Sequence, residues 1–129
     1  MAAYKFWQRE IKKVLEPFEL TYSQFVLLAN IRWLSIEKQD VPQVLLSNHT
    51  RIDPMTTSTV LRTLQSRGLI KRQEHLIDTK AKTVALTKAG TEILKKAITT
   101  VEQFKKDFFS KLGAGQKDLN KNILVLLNQ

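Results

Sequence analysis

Asp53-Pro54-Met55-Thr56-Thr57-Ser58-Thr59-Val60-Leu61-Arg62-Thr63-Leu64-Gln65-Ser66-Arg67-Gly68 is the stretch whose reading decides the fold. Asp is a good N-cap and Pro suits the first helical position, so Asp53-Pro54 starts a helix. Gly68 stands where a left-handed C-cap is wanted. Between these ends Val60, Leu61 and Leu64 make an inward stripe, which leaves Thr56, Ser58, Thr59, Arg62, Thr63 and Gln65 facing elsewhere.

Upstream, the break at Asn48 to Ile52 separates this helix from a short one. Asp40 caps it, Pro42 falls in its first turn, and Val44, Leu45 and Leu46 supply its buried face. Before that, Thr21 and Gln24 form a Thr-x-x-Gln capping box ahead of a helix that is apolar almost all round from Phe25 to Ile36, and so central and buried. An amphipathic helix over roughly Ala2 to Phe18 precedes it, with Tyr4, Trp7, Ile11, Leu15 and Phe18 at steps of three and four.

Downstream, Leu69 to His75 and Thr83 to Leu86 read as two strands joined by a polar loop around Asp78 to Lys82, a hairpin with a basic tip. Thr87 caps a long helix to about Leu112. Ile93, Ala97, Val101, Phe104 and Phe108 make its stripe, widened by Leu94, Ile98 and Phe109. Gly113 and Gly115 interrupt, and a last helix carries Leu119, Ile123, Leu126 and Leu127. The fold class is therefore mainly α with a small β-hairpin wing, a winged helix-turn-helix with added terminal helices. One domain is expected over 1–129, with a core at about 21–90 and outer helices at about 1–18 and 88–129.

The 129 residues are enough for one core without staples. No cysteine is present, which excludes disulfides, thiolate zinc sites and thiol nucleophiles. His49 and His75 lie too far apart in sequence for a ligand-spaced cluster and read as surface histidines, so no metal and no cofactor is expected. No run approaches the ~20 apolar residues of a membrane span, and Met1 to Arg9 lacks a signal-peptide core, so the expectation is a cytoplasmic protein without a membrane partner. No nucleophile and base, carboxylate pair or phosphate loop stands at usable spacing, so no catalytic residue is assigned and an enzyme is not expected. The net charge of +9 favours a polyanionic partner, and its distribution sharpens this. Arg62 to Lys96 holds nine basic and three acidic residues, +6 of the whole +9.

A capped helix offering hydroxyls and a guanidinium, set beside a basic hairpin, fits the major groove of double-stranded DNA. Thr56, Ser58 and Thr59 can approach base edges or phosphates, and Arg62 can take guanine bidentately. Arg72, Asp78, Lys80 and Lys82 are the wing candidates. The competing reading of the helix is a solvated polar face. For the whole chain, the competing readings are a winged-helix module for protein or RNA contact and a repressor of another winged-helix family.

Thr21 to Gly90 resembles the DNA-binding core of the MarR (multiple antibiotic resistance regulator) family. The resemblance rests on Leu20-Thr21-x-x-Gln24-Phe25, the helix Asp53 to Leu64, Arg67-Gly68-Leu69-Ile70, and Leu86-Thr87-Lys88-Ala89-Gly90. It implies a homodimeric transcriptional regulator, by default a repressor, whose terminal helices intertwine and whose paired recognition helices and wings meet a pseudo-palindromic operator. For the late phenylalanines of the long helix, packing within one chain and a two-fold interface are the alternatives, and half-site symmetry favours the second. The resemblance further implies a small, often aromatic, anionic effector. Trp7, Phe25, Arg32 and Trp33 are the candidates to line its pocket, with core packing the favoured alternative for them. The chain departs from the family's Asp-x-Arg wing motif in having Asp78-Thr79-Lys80, and lysine lacks the planar fork that reads groove shape. Its N-terminal helix begins almost at Met1, which leaves the extent of the dimer interface open.

Overall fold

The computed structural model describes residues 2–36, 40–74 and 82–111. The described chain runs α1 (Ala2–Leu15), a single 3-10 turn (Glu16–Phe18), α2 (Tyr22–Leu34), β1 (Val41–Pro42), α3 (Gln43–Thr50), α4 (Pro54–Ser66), β2 (Ile70–Glu74), β3 (Lys82–Leu86) and α5 (Lys88–Lys111). The last helix read around Leu119 to Leu127 and the wing residues Asp78 and Lys80 lie outside the described residues.

Two compact units divide the chain, one of residues 1–20 and 97–129, the other of residues 21–96. In the second, α2 packs against α3, α4 and β3, and α4 against α3 and β2. Leu27, Leu28 and Ile31 of α2 are buried, as are Leu46, Leu61, Leu64, Leu69, Ile70, Val84 and Leu94. Thr21 caps α2 as its spacing predicts: the Gln24 backbone N–H donates to Thr21 Oγ1 at 3.1 Å, and the Thr21 N–H donates to Gln24 Oε1 at 3.0 Å. The far side of α2 is not buried, however. Trp33 and Ile36 are 66% and 75% exposed, so apolarity all round the helix overstated its burial.

The short helix also differs from its expected form. Asp40 does not cap it; Val41 and Pro42 are extended and pair antiparallel with Val84 and Thr83, so the sheet has three strands in the order β1-β3-β2. Proline suits the end of such an edge strand, because it has no N–H to leave unpaired there. Starting at Gln43 turns Leu46 and Ser47 inward and leaves Val44 (72%) and Leu45 (36%) exposed. The helix also continues through Asn48 and His49 to Thr50, whose hydroxyl donates back to the Leu46 carbonyl, and it stops at Arg51 in the left-handed region. Only Arg51 to Asp53 remains as the turn.

Asp53 caps α4: its Oδ1 accepts the Thr56 N–H at 2.9 Å and its Oδ2 the Thr56 hydroxyl at 2.6 Å. At the other end Gly68 has φ +74, its N–H reaching the Gln65 carbonyl and the Leu69 N–H the Leu64 carbonyl, a Schellman closure. The chain then enters β2, paired with β3 from Ile70↔Leu86 to Glu74↔Lys82. Thr87 fastens the return: its hydroxyl donates to the Gly68 carbonyl at 2.6 Å and accepts the Gly90 N–H at 3.0 Å. A Cβ at Gly90 would collide with the Leu69 carbonyl oxygen, so only glycine fits this first turn of α5.

In the other unit Trp7, Ile11 and Leu15 of α1 are buried at steps of four. The late phenylalanines of α5 meet rings of α1: the Trp7 ring centroid lies 5.2 Å from Phe104, 5.4 Å from Phe108 and 6.4 Å from Phe109, and Phe6 stacks on Phe108 at 5.8 Å. Leu94, Ala97 and Val101 are the buried line of α5, and Ile93, expected as part of it, is only half-buried.

Candidate nucleic-acid interface

The face of α4 depends on which side chains its stripe consumes. Thr57, Leu61 and Leu64 are fully buried at helical spacing, and the Thr57 hydroxyl is satisfied by the Ile52 carbonyl at 3.3 Å. Sequence reasoning misses Thr57 as an inward residue, although its step of four to Leu61 is the available signal. Val60, expected inward, is half-buried. The opposite side carries Thr56, Thr59 and Arg62, all exposed, with Ser58 half-buried beside them.

Arg72 does not project from the wing into solvent. From β2 its Nη2 donates to Gln43 Oε1 at 2.9 Å and to Ser58 Oγ at 3.4 Å, so one guanidinium joins the sheet, the start of α3 and the second turn of α4. Its Nε is buried without a hydrogen-bond partner among the described residues. Burial, and then the positive charge of Arg62, push the Arg72 pKa below its usual value, while guanidinium remains a cation. Arg62, Ser58 and Arg72 thus lie together. Gln43 reads in the sequence only as a helix-start residue, and no local pattern marks it, because its partner stands 29 positions away in sequence.

Lys82, the described cation of the wing strand β3, is exposed. With Pro42, Gln43, Val44, Ser47, Asn48 and Pro54 it lines a cleft of about 280 Å³ between β3, α3 and the first turn of α4. Of the effector candidates, Arg32 and Trp33 are exposed on α2 and Phe25 is half-buried there. Trp7 belongs to the aromatic cluster of the other unit and is 6% exposed.

A capped helix lying across a second helix, followed at once by a hairpin returning along it, defines the winged helix-turn-helix class. Residues 16–104 match the family model described as ArnR1-like, winged-helix domain. The chain is 34% identical over 104 residues to the uncharacterized HTH-type transcriptional regulator YdcH of Bacillus subtilis, covering 81% of this chain and 71% of that protein. Its fold matches that of a mutant MarR from Escherichia coli complexed with operator DNA, with a TM-score of 0.79 and 21% identity over 98% of this chain and 88% of the other. It matches equally Bordetella bronchiseptica BpsR, whose DNA binding is regulated by 6-hydroxynicotinic acid, with a TM-score of 0.78 and 22% identity over 99% and 89% of the two chains. The chain belongs to the ArnR1-like winged-helix family and is an HTH-type transcriptional regulator whose fold is that of the MarR type.

Among the described residues no helix is long and apolar enough to cross a membrane, and no group of three or more His, Asp or Glu side chains is placed to hold a metal ion.

Proposed function

We propose that the chain is a homodimeric repressor that binds a pseudo-palindromic operator in double-stranded DNA, with α4 in the major groove and the wing along the flanking backbone. The observation that carries this reading is the outer face of α4, where Thr56, Thr59 and Arg62 stand exposed over a fully buried stripe, with Ser58 and the cations Arg72 and Lys82 beside them. Arg62 reads a base edge, Thr56, Ser58 and Thr59 contribute hydroxyl contacts, and Lys80 and Lys82 neutralise phosphates from the wing. The concentration of positive charge from Arg62 to Lys96 supports a polyanionic partner over a protein one. The residue roles contain no catalytic step, and the chain acts as a binding protein in the cytoplasm, where its DNA lies.

Dimerisation is assigned to the outer helices, as a single domain whose core spans about 21–90. Phe104, Phe108 and Phe109 remain half-exposed even with Phe6 and Trp7 against them, which supports a second chain as further cover. Truncation before Gly113 should weaken the dimer in sedimentation; an unchanged dimer places the interface elsewhere. A small aromatic or anionic effector is retained as part of the proposal on Arg32 and Trp33, an exposed cation and an exposed indole adjacent on α2, with Phe25 on the same helix. Of the candidates, Trp7 is instead assigned to core packing.

The deciding experiment is selection from random duplexes at moderate salt with the full chain. Enrichment of an inverted repeat is expected. If no duplex sequence is enriched, the regulator reading of this surface is wrong.

A further inference from the structure

The hydroxyl groups of α4 are not equivalent. Thr56 donates its proton to Asp53 Oδ2 at 2.6 Å, Thr59 to the Met55 carbonyl at 3.0 Å, Thr63 to the Thr59 carbonyl at 3.3 Å and Ser66 to the Arg62 carbonyl at 3.1 Å. Buried Thr57 donates to the Ile52 carbonyl. A hydroxyl has a single proton, so each of these groups meets a partner as an acceptor or by its carbon atoms unless an internal bond breaks first. Ser58 is different. Its oxygen accepts from Arg72 at 3.4 Å, and its proton goes to no acceptor among the described residues.

The donor that holds Ser58 is itself held. Arg72 Nη2 is fixed at 2.9 Å by Gln43 Oε1, which lies directly after β1, and Arg72 pairs with Val84 in the centre of the sheet. A guanidinium has no acceptor, so contact with it engages a lone pair of the serine oxygen and leaves the O–H to point away from Arg72. Half-buried Ser58 also shares a face with Arg62, one turn later on α4.

We propose that Ser58 is the specificity-determining hydrogen-bond donor of α4, and that Arg72 is a positioning residue that sets it and not an anchor for phosphate. The inference rests on the DNA-binding reading above and deepens it. In the major groove the acceptors are guanine N7 and O6, adenine N7 and thymine O4, whereas cytosine presents its amino group. Ser58 therefore donates to guanine, adenine or thymine at one position of each half-site and disfavours cytosine there, to which it can offer only the lone pair that Arg72 leaves over.

The test begins with duplex selection by the full wild-type chain and continues with Ser58→Ala, Arg72→Met and the double variant, each checked for a cooperative melt. A wild type that enriches nothing defeats the regulator reading itself and is thereby separated from this inference. Given an enriched site, Ser58→Ala should weaken the cognate duplex about three- to tenfold and admit cytosine at a single position per half-site, with the salt slope unchanged. Arg72→Met should relax the same position with the same slope, and the double variant should lose no more than the larger single loss. Equal losses on cognate and scrambled duplexes for Ser58→Ala mean a phosphate contact and overturn the proposal. So does an unchanged preference. A salt slope lower by about one per subunit in Arg72→Met overturns the positioning role, because it marks a direct phosphate contact. If Arg72→Met does not fold, Ser58→Ala alone decides the specificity claim, and Gln43→Ala, which frees Arg72 without removing its charge, decides the positioning claim by the same change of preference.

Discussion

α4 and the late part of α5 both place bulky or polar side chains outside a narrow buried line, but they use that outer surface differently. In α4 the line is Thr57, Leu61 and Leu64, and the side chains left outside are hydroxyls and a guanidinium. In α5 the buried line ends at Val101, and beyond it stand Phe104, Phe108 and Phe109, half-exposed with Trp7 and Phe6 against them. A helix with its apolar residues spent is left with directional groups, whose value lies in discrimination. A helix with apolar area left over gains by covering it with any apolar surface of the right shape, so its value lies in assembly.

That contrast can be broken by substitutions in each region. The largest effect is expected for Trp7→Ala, which removes a buried indole from the aromatic cluster and should cost about 3–5 kcal/mol of stability in chemical denaturation. The folded fraction should keep its sequence preference. An altered preference at full folding would show that the two regions do not divide the work. Next comes Arg62→Ala, expected to cost about 1–3 kcal/mol on the cognate duplex and to relax one position per half-site. Lys80→Ala should instead weaken cognate and scrambled duplexes by similar factors and lower the salt slope by about one per wing. Should Lys80 prove to set preference while Arg62 only shifts the salt slope, specificity belongs to the wing and not the helix.

The smallest effect concerns the cap that aims α4. The Asp53 carboxyl is held below its ordinary value by the Thr56 hydroxyl first and the Thr56 backbone N–H second. A depressed folded pKa means that the carboxylate stabilises the fold fully above its unfolded pKa, near 3.9, and less as pH falls through the lower folded value. Asp53→Ala should therefore melt at a lower temperature at neutral pH. The gap to wild type should narrow as pH falls below about 4. A gap independent of pH would assign the loss to packing and not to the charged cap.

The helix ends were legible in the sequence because caps are short-range. Thr21 with Gln24, Asp53 with Pro54, and Gly68 each act on neighbours within a few positions, and all three stand in the structure as their chemistry requires. The start of α3 was not legible. Asp40 and Pro42 carry a local signal for a helix, but pairing with Val84 and Thr83, some forty positions later, draws Val41 and Pro42 into the sheet. That shift turned Val44 and Leu45 outward. On the outer face of α4, Arg62 and the hydroxyls could be read from periodicity, since one helix face is a matter of spacing.

What the sequence determined by itself was thus the winged helix-turn-helix, its capped helix with a polar outer face and its concentration of positive charge, all consequences of local propensity and count. The partners of Arg72 were decided only by the tertiary structure. In the sequence it is one more basic residue of a basic strand; in the fold it crosses to Gln43 and Ser58, its Nε buried and without a partner among the described residues. Neither partner is near it in the chain, and a hydrogen bond between neutral and charged side chains leaves no periodicity behind. Only the packing of β2 beside α3 and α4 brings the three together, and with them the orientation of a single hydroxyl on the outer face of α4.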